Sequence, residues 1–156
     1  MTEKLSSVLC GVAGEYFVAA ELSRRGYIAS ITLRNTRGVD VLASNADATK
    51  SAGIQVKTNQ LGVAEWILSS KVEEGPSDEL AENLFFIFVT LPVDGSAPPA
   101  YYIISRRELA QVVKENHARW LATPGRGGRP HSTDNTIRKF ADPDGIYRDR
   151  WSLLGL

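Results

Sequence analysis

G-E-Y-F-V-A-A-E-L (Gly14–Leu22), G-V-D-V-L (Gly38–Leu42) and G-I-Q-V-K (Gly53–Lys57) are the segments that decide the fold of this 156-residue chain. The first lies in a predicted helix from about Leu5 to Arg25, because apolar side chains recur at three- and four-residue steps and form one apolar face. The residues of that face are Leu5, Val8, Val12, Ala19 and Leu22. Gly26, after two arginines, predicts the end of the helix.

Three strands are predicted after this helix. Residues rich in β-formers indicate strands at Tyr27–Leu33 and Val39–Ala43, with a turn around Gly38 between them. The third strand is Gly53–Thr58. Because neighbouring strand residues point to opposite faces, Ile54 and Val56 share one face of it, while Gln55 and Lys57 share the other.

The rest of the chain predicts fewer regular elements. Composition indicates a short strand, a helical turn, two further strands, a helix that Ser105 caps, an irregular Gly/Pro-rich loop and a docked tail. Their ranges are Glu65–Ser69, Pro76–Asn83, Leu84–Leu91, Ala100–Ile104, Ser105 to about Leu121, Thr123–Asp134 and Ile146–Leu156. We expect one domain over residues 1–156, of the α/β class, with a central mixed sheet and helices on its faces.

Composition bounds the class of protein. A hydrophobic share of 43% with 23% charged residues is typical of a soluble globular domain, and a net charge of zero argues against a protein that coats nucleic acid through bulk charge. An acidic segment from Lys71 to Asp94 and a basic one from Lys114 to Lys139 predict an acidic side and a basic side.

Cysteine content and apolar runs narrow the chemistry and the location. Cys10 is the only cysteine, so an internal disulfide and a thiolate zinc site are excluded. The N-terminus lacks the pattern of a signal peptide, and no apolar run is long enough to cross a membrane. We therefore expect a cytoplasmic protein with no membrane contact.

Four polar residues stand where apolar ones are expected. Glu15 lies on the apolar face of the first helix, and Asp40 is flanked by valines in a strand. Gln55 and Lys57 lie on a strand predicted to neighbour that of Asp40. Each residue alone is equally consistent with a solvated side chain. Together they predict a convergence of polar groups from three elements, since a buried carboxylate needs a partner.

The order of these motifs resembles the PD-(D/E)XK nuclease superfamily, and its resolvase-like members in particular. The resemblance implies a restriction-endonuclease-like αβββαβ core, phosphodiester hydrolysis that depends on Mg²⁺ or Mn²⁺, and duplex or branched DNA as partner. It implies that Glu15, Asp40, Gln55 and the Val56 carbonyl hold the metal, and that Lys57 stabilises developing charge. Val39 replaces the proline of the motif, and Gln55 replaces the usual carboxylate.

DNA contacts are predicted outside the motif, in two groups of basic residues. They are Arg34 and Arg37 before Asp40, and Arg126, Arg129, Arg138 and Lys139 in or beside the Gly/Pro-rich loop. A solvated loop explains the second group equally well. Trp66 and Trp120 are predicted to pack rather than to stack on bases.

Three hypotheses follow for function. The first is a metal-dependent DNA endonuclease, for which the resemblance also leaves a homodimer open. The second is a catalytically weak or inactive binding or immunity module on the same fold, which Gln55 and the neutral net charge favour. The third is an unrelated α/β domain whose motif arose by coincidence.

Overall fold

The computed structural model describes residues 3–33, 38–75 and 82–156. The elements in chain order are α1 (Ser7–Arg24), β1 (Ile28–Ile31), β2 (Val41–Ser44), β3 (Ser51–Asn59), β4 (Glu65–Ser69), β5 (Leu84–Thr90), β6 (Ala100–Ser105), α2 (Arg106–Ala122) and β7 (Ile137–Ala141). Helix α1 and strands β1 to β3 therefore come first, and α2 directly follows β6.

The main sheet has five strands in the order β1-β2-β3-β5-β6. The β3–β5 pair is parallel and the other pairs are antiparallel, so the sheet is mixed. β4 and β7 form a separate two-stranded antiparallel sheet. The predicted α/β class, with a central mixed sheet flanked by helices, is confirmed.

Hydrophobic side chains form one core on each face of the main sheet. On the first face, α1 packs with its Val18 and Leu22 on Val41, Ile54 and neighbouring strand residues. On the second face, α2 and the small sheet pack on side chains such as Phe86 and Phe88. The sheet is therefore buried between two layers, as a mixed α/β sheet requires.

The buried face of α1 agrees with the predicted one at Ala19 and Leu22 and differs from it in the first half of the helix. Leu5 and Val8 are 40% and 59% exposed, whereas the residues that turn inward are Cys10, Gly14, Val18 and Leu22. Gly14 sets this orientation, because a Cβ built on it would lie 1.8 Å from Thr58 Oγ1 on β3. The helix backbone meets the strand there, and no residue larger than glycine allows so close an approach.

The described residues of the connection from β3 to β5 contain β4 and a 3₁₀ helix at Ser70–Glu74, while residues 76–81 of the predicted helical turn lie outside the described part. α2 covers the second face, and Ser105 caps it as predicted by accepting a hydrogen bond from the Glu108 N–H. No helix of the described chain is long and apolar enough to cross a membrane.

The last third of the chain contains a strand that the sequence did not predict. β7 alternates in burial, with Arg138 and Phe140 inward and Lys139 outward, and it pairs with β4 along its length. The C-terminal tail docks as predicted, since Trp151 and Leu154 are buried in the core under α1.

One ion pair joins the two segments of opposite charge. Arg138 donates to both oxygens of Glu73 and to the carbonyls of Asn135 and Ile137. The prediction of separate acidic and basic sides is wrong at this point, because a base of one segment pairs with an acid of the other. The hydrogen bond from Arg138 lowers the pKa of the Glu73 carboxyl below its ordinary value.

Glu73→Gln is expected to lower the free energy of unfolding by about 2 kcal/mol at pH 7, because it leaves the buried Arg138 guanidinium without its counter-charge. A carboxyl whose pKa is lowered by folding stabilises the protein above its unfolded pKa of about 4.3, and this stabilisation is lost as pH falls through the folded pKa. Urea unfolding from pH 7 to pH 3 should therefore show the difference between Glu73→Gln and the native protein shrinking in acid. A constant difference over this range would contradict the pairing.

Candidate functional site

Gln55 and Lys57 lie on the face of β3 that is opposite α1. Their register partners on β5 are Phe86 and Phe88, which belong to the second core. Ile54 lies on the opposite face of β3, toward α1, and is fully buried in the first core. The predicted division of β3 into an apolar face and a Gln55/Lys57 face is confirmed.

Asp40 lies at the point where the chain enters β2. Its Oδ2 accepts a hydrogen bond of 2.7 Å from the Val56 N–H, between Gln55 and Lys57. The Asp40 N–H donates to the Ile54 carbonyl, although the register partner of Ile54 on β2 is Val41. The pairing of β2 with β3 is therefore irregular where β2 begins. Asp40 Oδ1 receives no hydrogen bond from any described residue. The carboxylate is thus fixed through one oxygen and leaves the other for a ligand.

The Val56 carbonyl points to the side of β3 on which the Asp40 carboxylate lies. In a strand, the N–H and C=O of one residue point to the same side, and the Val56 N–H points to Asp40. The structure therefore brings Asp40 to the Gln55–Lys57 segment, as the sequence predicted.

Glu15 approaches β3 from the other face of the sheet. It follows Gly14, whose Cα lies against Thr58, the residue after Lys57. The Glu15 side chain is half-buried and already interacts with other groups of the protein. Its convergence with Asp40, Gln55 and Lys57 on one ion stays a prediction.

A groove of about 350 Å³ opens over Gln55 and Lys57. Lys71, from the 3₁₀ helix, and Arg106, the first residue of α2, add two further cations to its wall. None of these three cations forms an ion pair within the described chain, and no described residue that lines this groove is acidic. The groove is therefore suited to an anion such as a phosphate.

Sequence analysis missed Lys71 and Arg106. Lys71 is the lone base of an acidic segment, and only the crossing of the β3–β5 connection over the sheet brings it beside Lys57. Arg106 directly follows the Ser105 N-cap. This position between β6 and α2 is what the sequence shows of Arg106, and it does not reveal that the residue lines the groove.

The residues predicted to contact DNA differ in accessibility. Arg34 and Arg37 lie outside the described residues. Arg126 and Arg129 are exposed, and Lys139 is exposed but paired with Glu65 at 2.8 Å. Arg138 does not suit the predicted role, because it is only 8% exposed and its guanidinium is occupied by Glu73 and two carbonyls.

The ligand set at Asp40 suits a hard divalent cation held with few charges. The predicted oxygen donors are the Asp40 carboxylate, the Gln55 amide, the Val56 carbonyl and Glu15. Within residues 3–33, 38–75 and 82–156, no three His, Cys, Asp or Glu side chains form a group able to hold a metal. Mg²⁺ is commonly held by one or two carboxylates, with water and substrate phosphate completing the shell, so this set fits such an ion.

Comparisons with known proteins show the fold. No family profile and no curated protein matches the chain. Solved structures do match, among them the bacterial homing endonuclease I-Ssp6803I, at 11% identity and a TM-score of 0.52 over 96% of this chain and 91% of that one, and the Holliday junction resolvase Hjc of Archaeoglobus fulgidus, at 15% identity and 0.49 over 88% and 86%. The likeness to I-Ssp6803I shows that this chain has a restriction-endonuclease-like fold, as predicted.

Proposed function

We propose that this protein is a metal-dependent DNA endonuclease that hydrolyses phosphodiester bonds in the groove over Gln55 and Lys57, which we call the catalytic groove. The observation that carries the proposal is the position of Asp40, which is hydrogen-bonded to the Val56 N–H between Gln55 and Lys57. Lys71 and Arg106 support it, because they line the groove together with Gln55 and Lys57, form no ion pair with a described residue, and can take the phosphates that a DNA strand brings. The similar structure I-Ssp6803I is that of a homing endonuclease.

Each group has a distinct role in this proposal. Asp40, Gln55, the Val56 carbonyl and Glu15 hold Mg²⁺ or Mn²⁺, which when bound polarises the scissile phosphate and lowers the pKa of a water. Lys57 stabilises the negative charge that develops on the phosphate oxygens. Lys71 and Arg106 hold the neighbouring phosphates, so that the scissile bond lies over Gln55 and Lys57.

The direct test is cleavage of supercoiled plasmid, linear duplex and branched DNA by the purified protein. Nicked or linear products are expected with Mg²⁺ or Mn²⁺ and not with EDTA. The absence of cutting on all three substrates, together with no rise in thermal stability on adding either metal, would contradict the proposal.

Gln55→Glu is expected to tighten Mn²⁺ binding by about tenfold or more, because it replaces a neutral amide ligand with a carboxylate. Titration calorimetry of the DNA-free protein measures this effect. Gln55→Ala is the matched control, since it removes the ligand without adding charge, and it should bind Mn²⁺ no better than the native protein. Equal Mn²⁺ affinity of Gln55→Glu and Gln55→Ala would place the ion elsewhere.

A DNA-binding or immunity module without catalysis is the second candidate function. It is favoured by the small number of carboxylates at the site, since the described residues contain no group of three metal-binding side chains. This candidate predicts tight DNA or protein binding that metal does not affect and that Gln55→Glu leaves unchanged. The plasmid assay and the calorimetry above therefore separate the two functions.

Partners beyond the groove belong to the same proposal. Exposed Arg126, Arg129 and Lys139 extend the DNA-binding surface, while Arg138 serves the fold. A homodimer also stays a prediction. Val8, Leu9, Tyr16 and Phe17 are exposed on α1 and give a second copy an apolar surface to bury.

A further inference from the structure

A second and larger groove, of about 830 Å³, runs between α2, β7 and the loop that follows β7. Three isoleucines line it with unusually exposed side chains: Ile67 on β4 is 61% exposed, Ile137 on β7 is 58% and Ile146 in the loop is 66%. Apolar side chains of this size are normally covered. The second groove is therefore an apolar surface that lacks a cover within the described chain.

A stack of aromatic rings lies in the wall of the second groove, beside α2. The Trp120 ring is stacked on His131 at 3.8 Å and 18°, and on His117 at 5.3 Å and 23°. Trp66 is buried and Trp120 is 37% exposed, and both pack on other rings of the protein, as predicted. His117 and Trp120 both line the groove, and flat rings at its wall can extend their stack onto another flat ring.

The polar groups of the second groove suit a nucleotide. Asn116 and Asn135 supply amides that can hydrogen-bond to a base edge, and Arg119 and Lys139 supply two cations for its phosphate. Two carboxylates also line it. Asp142 is buried and already accepts hydrogen bonds from the N–H groups of Ile146 and Tyr147. Asp144 is therefore the carboxylate of this lining whose charge opposes the binding of a phosphate.

The two grooves meet at β4. Ile67 lines both of them, and its register partner on β7 is Lys139. A strand with its phosphates on Lys57, Lys71 and Arg106 therefore continues across β4 to Lys139 and the aromatic stack. A base-paired nucleotide keeps its faces stacked inside the duplex, so only an unpaired one can offer its ring to this wall.

We propose that the second groove binds an unpaired nucleotide of the DNA strand that occupies the catalytic groove. The inference rests on the proposed function and deepens it, because it defines the substrate as DNA with a single-stranded arm beside a duplex. The unpaired base stacks on His117, at the end of the aromatic stack opposite His131, and the isoleucines cover its edge. The phosphate of this nucleotide pairs with Arg119 and Lys139, in exchange for their present contacts with Asn116 and Glu65.

Binding without cleavage tests this inference independently of the nuclease activity. The probes, in EDTA, are a duplex that carries 2-aminopurine in a single-stranded arm and the same duplex with a blunt end. The armed duplex should bind about tenfold more tightly or better, with quenching of the 2-aminopurine fluorescence by stacking. Trp120→Ala should bring the ratio of the two affinities close to one and abolish the quenching, while Trp120→Phe should retain both.

The outcomes separate the two proposals. An armed duplex that binds tightly and is quenched, but is never cut with metal, supports this inference and contradicts the endonuclease. Cutting without any preference for the arm, or quenching that survives in Trp120→Ala, overturns the inference alone. Equal displacement of the arm by an acidic peptide would overturn it too, because the groove would then recognise charge and not a base. His117→Ala replaces Trp120→Ala if thermal unfolding shows that the latter is not folded.

Discussion

Cleavage of DNA by Asp40→Asn is expected to fall by about three orders of magnitude or more, because the site loses its best-placed negative ligand. The amide oxygen of the new side chain can still accept the hydrogen bond from the Val56 N–H, so the start of β2 stays paired. Lys57→Ala should reduce cleavage by about two to three orders of magnitude, because one stabilising charge is lost at the phosphate. Initial rates on plasmid with Mg²⁺ or Mn²⁺ measure both effects.

The choice of substitution matters for Asp40. Asp40→Ala would also leave the Val56 N–H without its acceptor, at a cost of about 1–3 kcal/mol, so a loss of activity could reflect a disturbed strand. Asp40→Asn avoids this second effect. Lys50→Ala is the matched control for Lys57→Ala, since Lys50 is an exposed lysine in the turn before β3. Cutting at the native rate by both Asp40→Asn and Lys57→Ala would exclude the assigned site.

Gly14→Ala is expected to give the largest loss of stability, of about 3 kcal/mol, because its new methyl group would lie 1.8 Å from Thr58 Oγ1. The contacted atom is on a short, β-branched side chain in a central strand, and it cannot move away cheaply. α1 would have to shift from β3 and carry Glu15 with it. Denaturation by urea measures the change in free energy.

Gly11→Ala is the control in the same helix. A Cβ there has no neighbour within 4 Å, so the substitution should stabilise the protein by about 0.5–1 kcal/mol through helix propensity. Adding Thr58→Gly to Gly14→Ala should recover part of the lost stability, since it removes the group that the methyl meets. If Gly14→Ala is no less stable than Gly11→Ala, the close approach of α1 to β3 is not present in solution.

The sequence predicted those features that depend on local periodicity. The alternation of Ile54, Gln55, Val56 and Lys57 gave both faces of β3, and the Ser105 cap gave the start of α2. The first half of the buried face of α1 was missed because it depends on a tertiary contact of Gly14, which no apolar pattern reveals. A strand built around Arg138 has little of the usual β pattern, so β7 was missed as well.

The residues of the candidate site can be proposed from the sequence, but their surroundings cannot. Asp40 and Lys57 are recognisable because their motif is short and ordered along the chain. The hydrogen bond that fixes Asp40 depends on where β2 departs from β3, and this departure has no local signature. Lys71 and Arg106 reach the catalytic groove from two elements that are distant in sequence, so their role requires the three-dimensional structure.

The pairing of β4 with β7 has a consequence for the order in which the protein forms during synthesis. The motif up to Lys57 leaves the ribosome first, but β4 obtains its partner only when Ile137–Ala141 has been made. Until then Trp66 and Leu68 have no Phe140 to pack against. A nascent chain therefore carries the whole candidate motif before β4 and β7 are paired, and the walls that these strands give to the two grooves form only after Ile137–Ala141 has been made.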